Sequence, residues 1–229
     1  MSSTTRREFL DRVATSAAML GILPTSLAAL APVPAVSGTP QRGAEFDVTW
    51  PQRVTGKYRG VFDVPEVESG YGVWRASIWA KQYETSLGVP AADLSTVLIL
   101  RHNAIVLAMQ QPFWDEYGIG GLKDVKHPVT LETTDRNPAL LSSSRGEVPA
   151  MYDDFALPRF LARGGIALAC DLALRDCVAL IQNTDRVDEA TAHRKAVGLV
   201  VPGVLLQPSG VFAAALAQHK AGCAYVRAA

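Results

Sequence analysis

The chain has 229 residues, 48% of them apolar, with 22 basic and 22 acidic side chains. That apolar content supports a folded chain rather than a disordered one, and the even charge excludes a general attraction to nucleic acid or anionic lipid. Three cysteines are an odd number and too few for a disulfide scaffold.

The first element is Arg6-Arg7-Glu8-Phe9-Leu10, followed by a mildly apolar stretch from Val13 to Leu30 that Thr15, Ser16, Pro24, Thr25 and Ser26 interrupt. Paired arginines, apolar stretch and small residues in that order resemble a twin-arginine export signal, a receptor-read address rather than an anchor. Residues 1–31 are therefore expected to engage the twin-arginine translocase and to be cleaved between 28 and 37, leaving a periplasmic protein. Asp11 departs from such signals, where a basic residue is more usual. No other stretch is long and apolar enough to cross a bilayer, so no stable membrane insertion is expected.

Residues 32–56 carry Pro32, Pro34, Pro40 and Pro51 and read as a linker or irregular lead-in. A strand is expected over 59–64 and a helix over 70–87, with Trp79, Tyr83 and Leu87 at four-residue spacing beside Tyr71, Trp74 and Ile78. Gly88-Val89-Pro90 ends that helix. The continuous apolar run 95–100 predicts a strand covered on both faces. A helix is expected next over 104–117, with Pro112 as a possible bend. Further strands are expected over 165–169, 204–207 and 224–227, and further helices over 172–182, 188–199 and 211–219.

This alternation argues for a doubly wound, three-layer α/β/α domain over 57–229, with a mostly parallel sheet of about five strands. Residues 118–150 interrupt the rhythm with Gly118, Gly120, Gly121, Pro128, Pro138 and Pro149, so they read as an insertion: a lid, or a surface segment packed over the sheet.

In an open α/β sheet ligands bind beyond the carboxyl ends of the strands. That rule selects Asp63 and Glu66, His102 and Asn103, Cys170 and Asp171, and Gln207, Ser209 and Gly210. Cys170 stands where a buried strand hands over to a helix, whose N–H groups would stabilise a thiolate able to carry sulfur; the alternative is a small buried packing residue. His102 reads as a proton donor or anion partner, or as a helix cap. Ser209-Gly210 reads as an anion-binding helix start, or as plain capping. Cys170 and Cys177 on one helix would be separated by about 10 Å of rise, too far for a bridge.

There is no G-x-S-x-G elbow, C-x-x-C pair, H-E-x-x-H pair or Walker loop, and His102, His127, His193 and His219 lack ligand spacing. No cofactor and no metal site are therefore predicted.

The segment Gly165-Ile166-Ala167-Leu168-Ala169-Cys170-Asp171-Leu172 resembles the strand–cysteine–helix segment of the DsrE/DsrF-like family. Val97-Leu98-Ile99-Leu100-Arg101-His102, with the stretch 104–109 after it, resembles that family's second strand and helix. Residues 204–210 and Tyr225-Val226 fall where its last strands are expected. The resemblance spans about residues 57–227 and rests mainly on hydrophobic pattern and one cysteine. It implies five parallel strands, assembly into a small homo-oligomer, and a persulfide-carrying cysteine at Cys170. The export signal and the 118–150 insertion depart from the pattern. The expected function is a periplasmic relay or binder of a small sulfur species or small anion. Cys170 would be the carrier, His102 and Asp171 its neighbours, and Asn103, Gln207, Ser209 and Gly210 the ligand contacts. The alternative is a non-catalytic binding or assembly module of the same fold in which Cys170 is structural.

Overall fold

A computed structural model describes residues 46–229; the export signal and cleavage region expected from the sequence lie outside the described residues. The strands are β1 (Tyr58–Val64), β2 (Leu94–Leu100), β3 (Ile166–Cys170), β4 (Leu205–Gln207) and β5 (Ala224–Arg227). They form one all-parallel sheet in the order β4-β3-β2-β1-β5, so the fold is α/β/α as the alternating pattern predicted. Parallel neighbours need crossovers that cover the faces, which is why β3 is apolar along its length and β2 from Val97 onward. Val97, Leu98, Ile99 and Leu100 are each fully buried.

Alternate residues feed two cores, as the period of a strand requires. Phe62, Leu98, Leu100, Ala167 and Ala169 belong to the larger core, with helix α1 (Tyr71–Leu87) and later helices packed on it. Val61, Val97, Ile99, Ile166 and Leu168 belong to the smaller one, under the helix Gly210–His219. Trp50 and Val54 complete that smaller core. The lead-in expected over 32–56 is thus packed structure at its carboxyl end rather than linker. Trp50 is wholly buried, and its indole N–H donates to Gln207 Oε1 at 3.0 Å.

Helix α1 starts after Gly70 and stops at Gly88, both in the left-handed region (φ 83° and 65°) that glycine enters at no steric cost. Its aromatic stripe holds as far as Tyr83: Phe62 and Trp79 meet edge to face, and Trp79 contacts Tyr83. Leu87, expected on the same stripe, is 65% exposed because the whole last turn, 84–87, faces solvent.

The helix expected over 104–117 is two pieces. A 3-10 segment (His102–Ala108) ends in extended Met109 and Gln110, and α2 (Gln111–Tyr117) restarts the chain. Met109 bridges Val200, and Gln110 N–H donates to Leu199 carbonyl at 2.8 Å, which pulls both residues out of helical geometry. Pro112 then sits in the first turn of α2, where its missing N–H leaves no bond unmade.

The interruption at 118–150 contains α3 (Ile119–Leu122) and several 3-10 turns. It is packed down: Ile119, Val125, Ala139, Leu141 and Val148 are buried, and Arg136 pairs with Glu147 at 2.7 Å. Helix α4 (Leu157–Ala162), which the periodicity missed, leads into β3. After β3 come α5 (Asp171–Asp185) and α6 (Glu189–Gly198), the latter capped by Asp188, and α7 (Gly210–His219) precedes β5.

Candidate functional site

Because the strands are parallel, Val64, Leu100, Cys170, Gln207 and Arg227 end on one edge. The chain steps from β1 to β4 in one direction and then returns to lay β5 on the far side of β1, so strand order reverses at the β1/β5 pair. The groups at this edge fall into three sets.

The first ties the reversal point together. Asp63, 2% exposed, accepts from Arg101 Nε at 2.7 Å and Nη2 at 2.8 Å, and from the Tyr225 hydroxyl at 2.6 Å. Burial alone would raise its pKa. The Arg101 and Tyr225 hydrogen bonds, helped by the charges of Arg101 and Arg227, outweigh burial and hold it below the ordinary carboxylate value. Gly210 packs on this arginine: an added Cβ would lie 2.5 Å from Arg101 Cδ and 2.7 Å from its Cβ. Ser209 Oγ accepts from Phe212 N–H at 3.1 Å as the cap of α7.

The second set surrounds His102, whose backbone is left-handed (φ 51°) and whose side chain is 63% exposed, with Nδ1 3.5 Å from Glu66 Oε1. Asn103 Nδ2 donates to Glu66 Oε2 at 2.8 Å, and Lys123 Nζ donates to Asn103 Oδ1 at 3.0 Å. Beside them opens a cavity of about 260 Å³ with an apolar wall of Ile105, Val106, Phe113, Ile119, Leu122 and Leu180, and with His102, Lys123 and Asp176 among its lining. Cys177 is also in that wall; burial, with the Asp176 charge beside it, pushes its thiol up to about 12, so it stays protonated.

The third set is Cys170 with its neighbours. Cys170 is 6% exposed and belongs to the larger core, and its sulfur accepts from Ala173 N–H at 3.4 Å as the cap of α5. Asp171 faces His193 Nε2 at 3.8 Å. No hydrogen bond or ion pair links Cys170, His102 and Asp171 to one another among the described residues. Gln207 is wholly buried: Oε1 accepts from Trp50, and Nε2 donates to the carbonyls of Asp47 at 2.7 Å and Leu206 at 2.8 Å.

His102 thus lines this cavity, and Asn103 is tied to its lining through Lys123. Gln207, Ser209 and Gly210 lie at the same edge with their polar atoms or their space already engaged. Lys123 and Asp176 were not selected from sequence. Lys123 comes from the insertion, and Asp176 lies inside a helix, so the strand-end rule reaches neither. Arg101 did carry a signal, a lone cation directly after a buried apolar run, one strand away from an acid in a second such run. Among the described residues no group of three or more His, Cys, Asp or Glu could hold a metal ion, and no helix is long and apolar enough to cross a membrane. Compared with family models, curated proteins and solved structures, the chain matches none.

Proposed function

We propose that the protein is a non-catalytic binding module that holds a small, largely apolar molecule with an anionic head in the cavity beside His102. The observation that carries this reading is the combination of an apolar wall with a cationic lysine and a histidine at the carboxyl end of β2. Small-molecule sites have this make-up, an apolar body with few polar groups, and span about 300–1,000 Å³. At about 260 Å³ this one suits something smaller than a drug.

Benzoate and phenol are suitable probes. Benzoate is expected to bind with a Kd of about 1 mM, the order set by roughly −0.5 kcal/mol per heavy atom. Leu180→Trp, which fills the cavity, abolishes the saturable NMR shifts. Lys123→Met weakens benzoate about two- to fivefold, as loss of an exposed charge pair would, and leaves phenol unchanged. Equal weakening of both probes would reject the anionic head, and no saturable shift with either would reject the site.

The second reading is sulfur carriage on Cys170, in a DsrE-like manner. It is favoured by the position of the sulfur at the first turn of α5, where it accepts a backbone N–H as a thiolate would. Against it stand the 6% exposure of Cys170 and its place in the apolar core. Iodoacetamide with intact-mass readout separates the readings. The binding module predicts that Cys170 is alkylated only after unfolding. A mass increase in the folded protein that Cys170→Ser removes would reinstate the relay.

A further inference from the structure

A second cavity, lined by polar as well as apolar groups, lies at the opposite, amino end of the sheet. It measures about 370 Å³ and is bounded by the start of β2, by the Gly164-Gly165 turn before β3, and by α1 and the end of α4. Small residues create the space: Ala76 and Ala80 stand on α1 where larger side chains would close it. Gly165 lies against the Phe160 ring, 2.5 Å from where a Cβ would sit, so the floor admits nothing larger.

One lining group has no explanation in the fold. Ser77, 6% exposed, has a fully buried Oγ with no hydrogen-bond partner. A buried hydroxyl left alone costs about 1–3 kcal/mol, so a protein with nothing to place there is better served by alanine. The mouth carries both signs of charge. Lys81 and Arg163 share Asp154, at 3.4 Å and 2.6 Å. Glu84 lines the same cavity and is in no ion pair among the described residues. The loose Lys81 contact leaves donors of its ammonium free, and Glu84 leaves a carboxylate free.

We propose that this cavity binds a small zwitterion of the amino-acid type. Its carboxylate sits on Lys81 and Arg163 and its ammonium on Glu84, and the Ser77 hydroxyl, sealed from solvent in this structure, turns about its Cα–Cβ bond to meet a polar atom of the ligand. Charge complementarity selects the class: a simple anion would meet Asp154 and Glu84 as well as the two cations, and a simple cation the reverse.

The test is an NMR titration of the whole folded protein with L-alanine and L-serine, with acetate and propylamine as single-charge controls. Saturable binding of an amino acid that exceeds both controls supports the proposal. Ser77→Ala weakens L-serine binding about three- to tenfold, the effect of one hydrogen bond, without lowering Tm. Lys81→Met weakens it independently of the serine. Leu180→Trp, at the other cavity, leaves it unchanged, so failure here is distinguishable from failure of the carboxyl-edge site. Absence of saturation, equal binding of the controls, or a Ser77→Ala variant with lowered Tm and unaltered binding overturns the proposal.

Discussion

Replacing Arg101 with methionine is expected to lower stability by about 3 kcal/mol near neutral pH, read as a fall in the urea midpoint without a change in slope. The variant removes both guanidinium hydrogen bonds from Asp63 and leaves a carboxylate that is 2% exposed with the Tyr225 hydroxyl as its remaining side-chain donor. Breaking one partner of a buried pair costs about 3–5 kcal/mol, and the low end applies because the Arg101 side chain is itself 33% exposed, so water can partly replace it. The double variant Asp63→Asn/Arg101→Met should recover most of the loss, since no charge then remains buried.

The pH dependence gives a second readout of the same pair. Asp63 has a folded-state pKa below its ordinary value of 3.8, so its contribution is present above about pH 4 and is lost as pH falls through the folded value. In Arg101→Met the sign inverts. Burial without the guanidinium raises the Asp63 pKa, so stability relative to the parent rises as acid protonates the buried carboxylate. A variant whose deficit is the same at pH 7 and pH 4 would show that the pair carries no linkage.

The sheet was legible because a strand buried on both faces has a local signature. The run Val97-Leu98-Ile99-Leu100 and the run Ile166–Cys170 needed no tertiary information to be read as strands. The order β4-β3-β2-β1-β5 was not legible, since it depends on how each crossover returns, and nothing local encodes that. Trp50 shows the same limit. The prolines around it point to irregular chain, yet Trp50 opens a short 3-10 helix and its side chain packs in the smaller core, bonded to Gln207 157 positions later.

At the candidate site, strand ends located residues without revealing what they touch. His102 lines a cavity, and Asn103 reaches its lining only through a hydrogen bond from Lys123. Gln207 ends β4 as expected, but its amide is engaged by Trp50 and Asp47, and Gly210 begins α7 as expected, but its missing side chain makes room for Arg101. Such contacts are set by packing between elements, so Lys123, delivered by the insertion, carried no sequence signal at all.

The insertion is where the second large effect is expected. Asn137 is wholly buried, and its Nδ2 donates to the carbonyls of Leu107 at 3.2 Å and Met109 at 2.7 Å. Its Oδ1 accepts from Ala139 N–H at 2.9 Å, while its own backbone N–H donates to Gln111 Oε1 at 2.9 Å. The side chain thereby supplies partners where the backbone turns extended at Met109 and Gln110 and no helix can. Asn137→Ala strips buried carbonyls and one N–H of their partners at about 1–3 kcal/mol each, and with partial relaxation the expected loss is about 3 kcal/mol.

The effect should also be local in a way that Arg101→Met is not. Residues 118–150 form part of the cavity wall through Ile119 and Lys123, so loosening Asn137 raises amide exchange across 118–140 and weakens benzoate together. Asn137→Asp is a stringent companion, because it keeps the acceptor for Ala139 but replaces the donor with a charge facing two carbonyls, and it should destabilise at least as much. A lid swinging on this residue predicts the opposite pattern: normal stability in both variants, with exchange in 118–140 already fast in the parent protein. Slow exchange in the parent that Asn137→Ala accelerates would identify the segment as a fixed wall of the cavity, held by one buried amide.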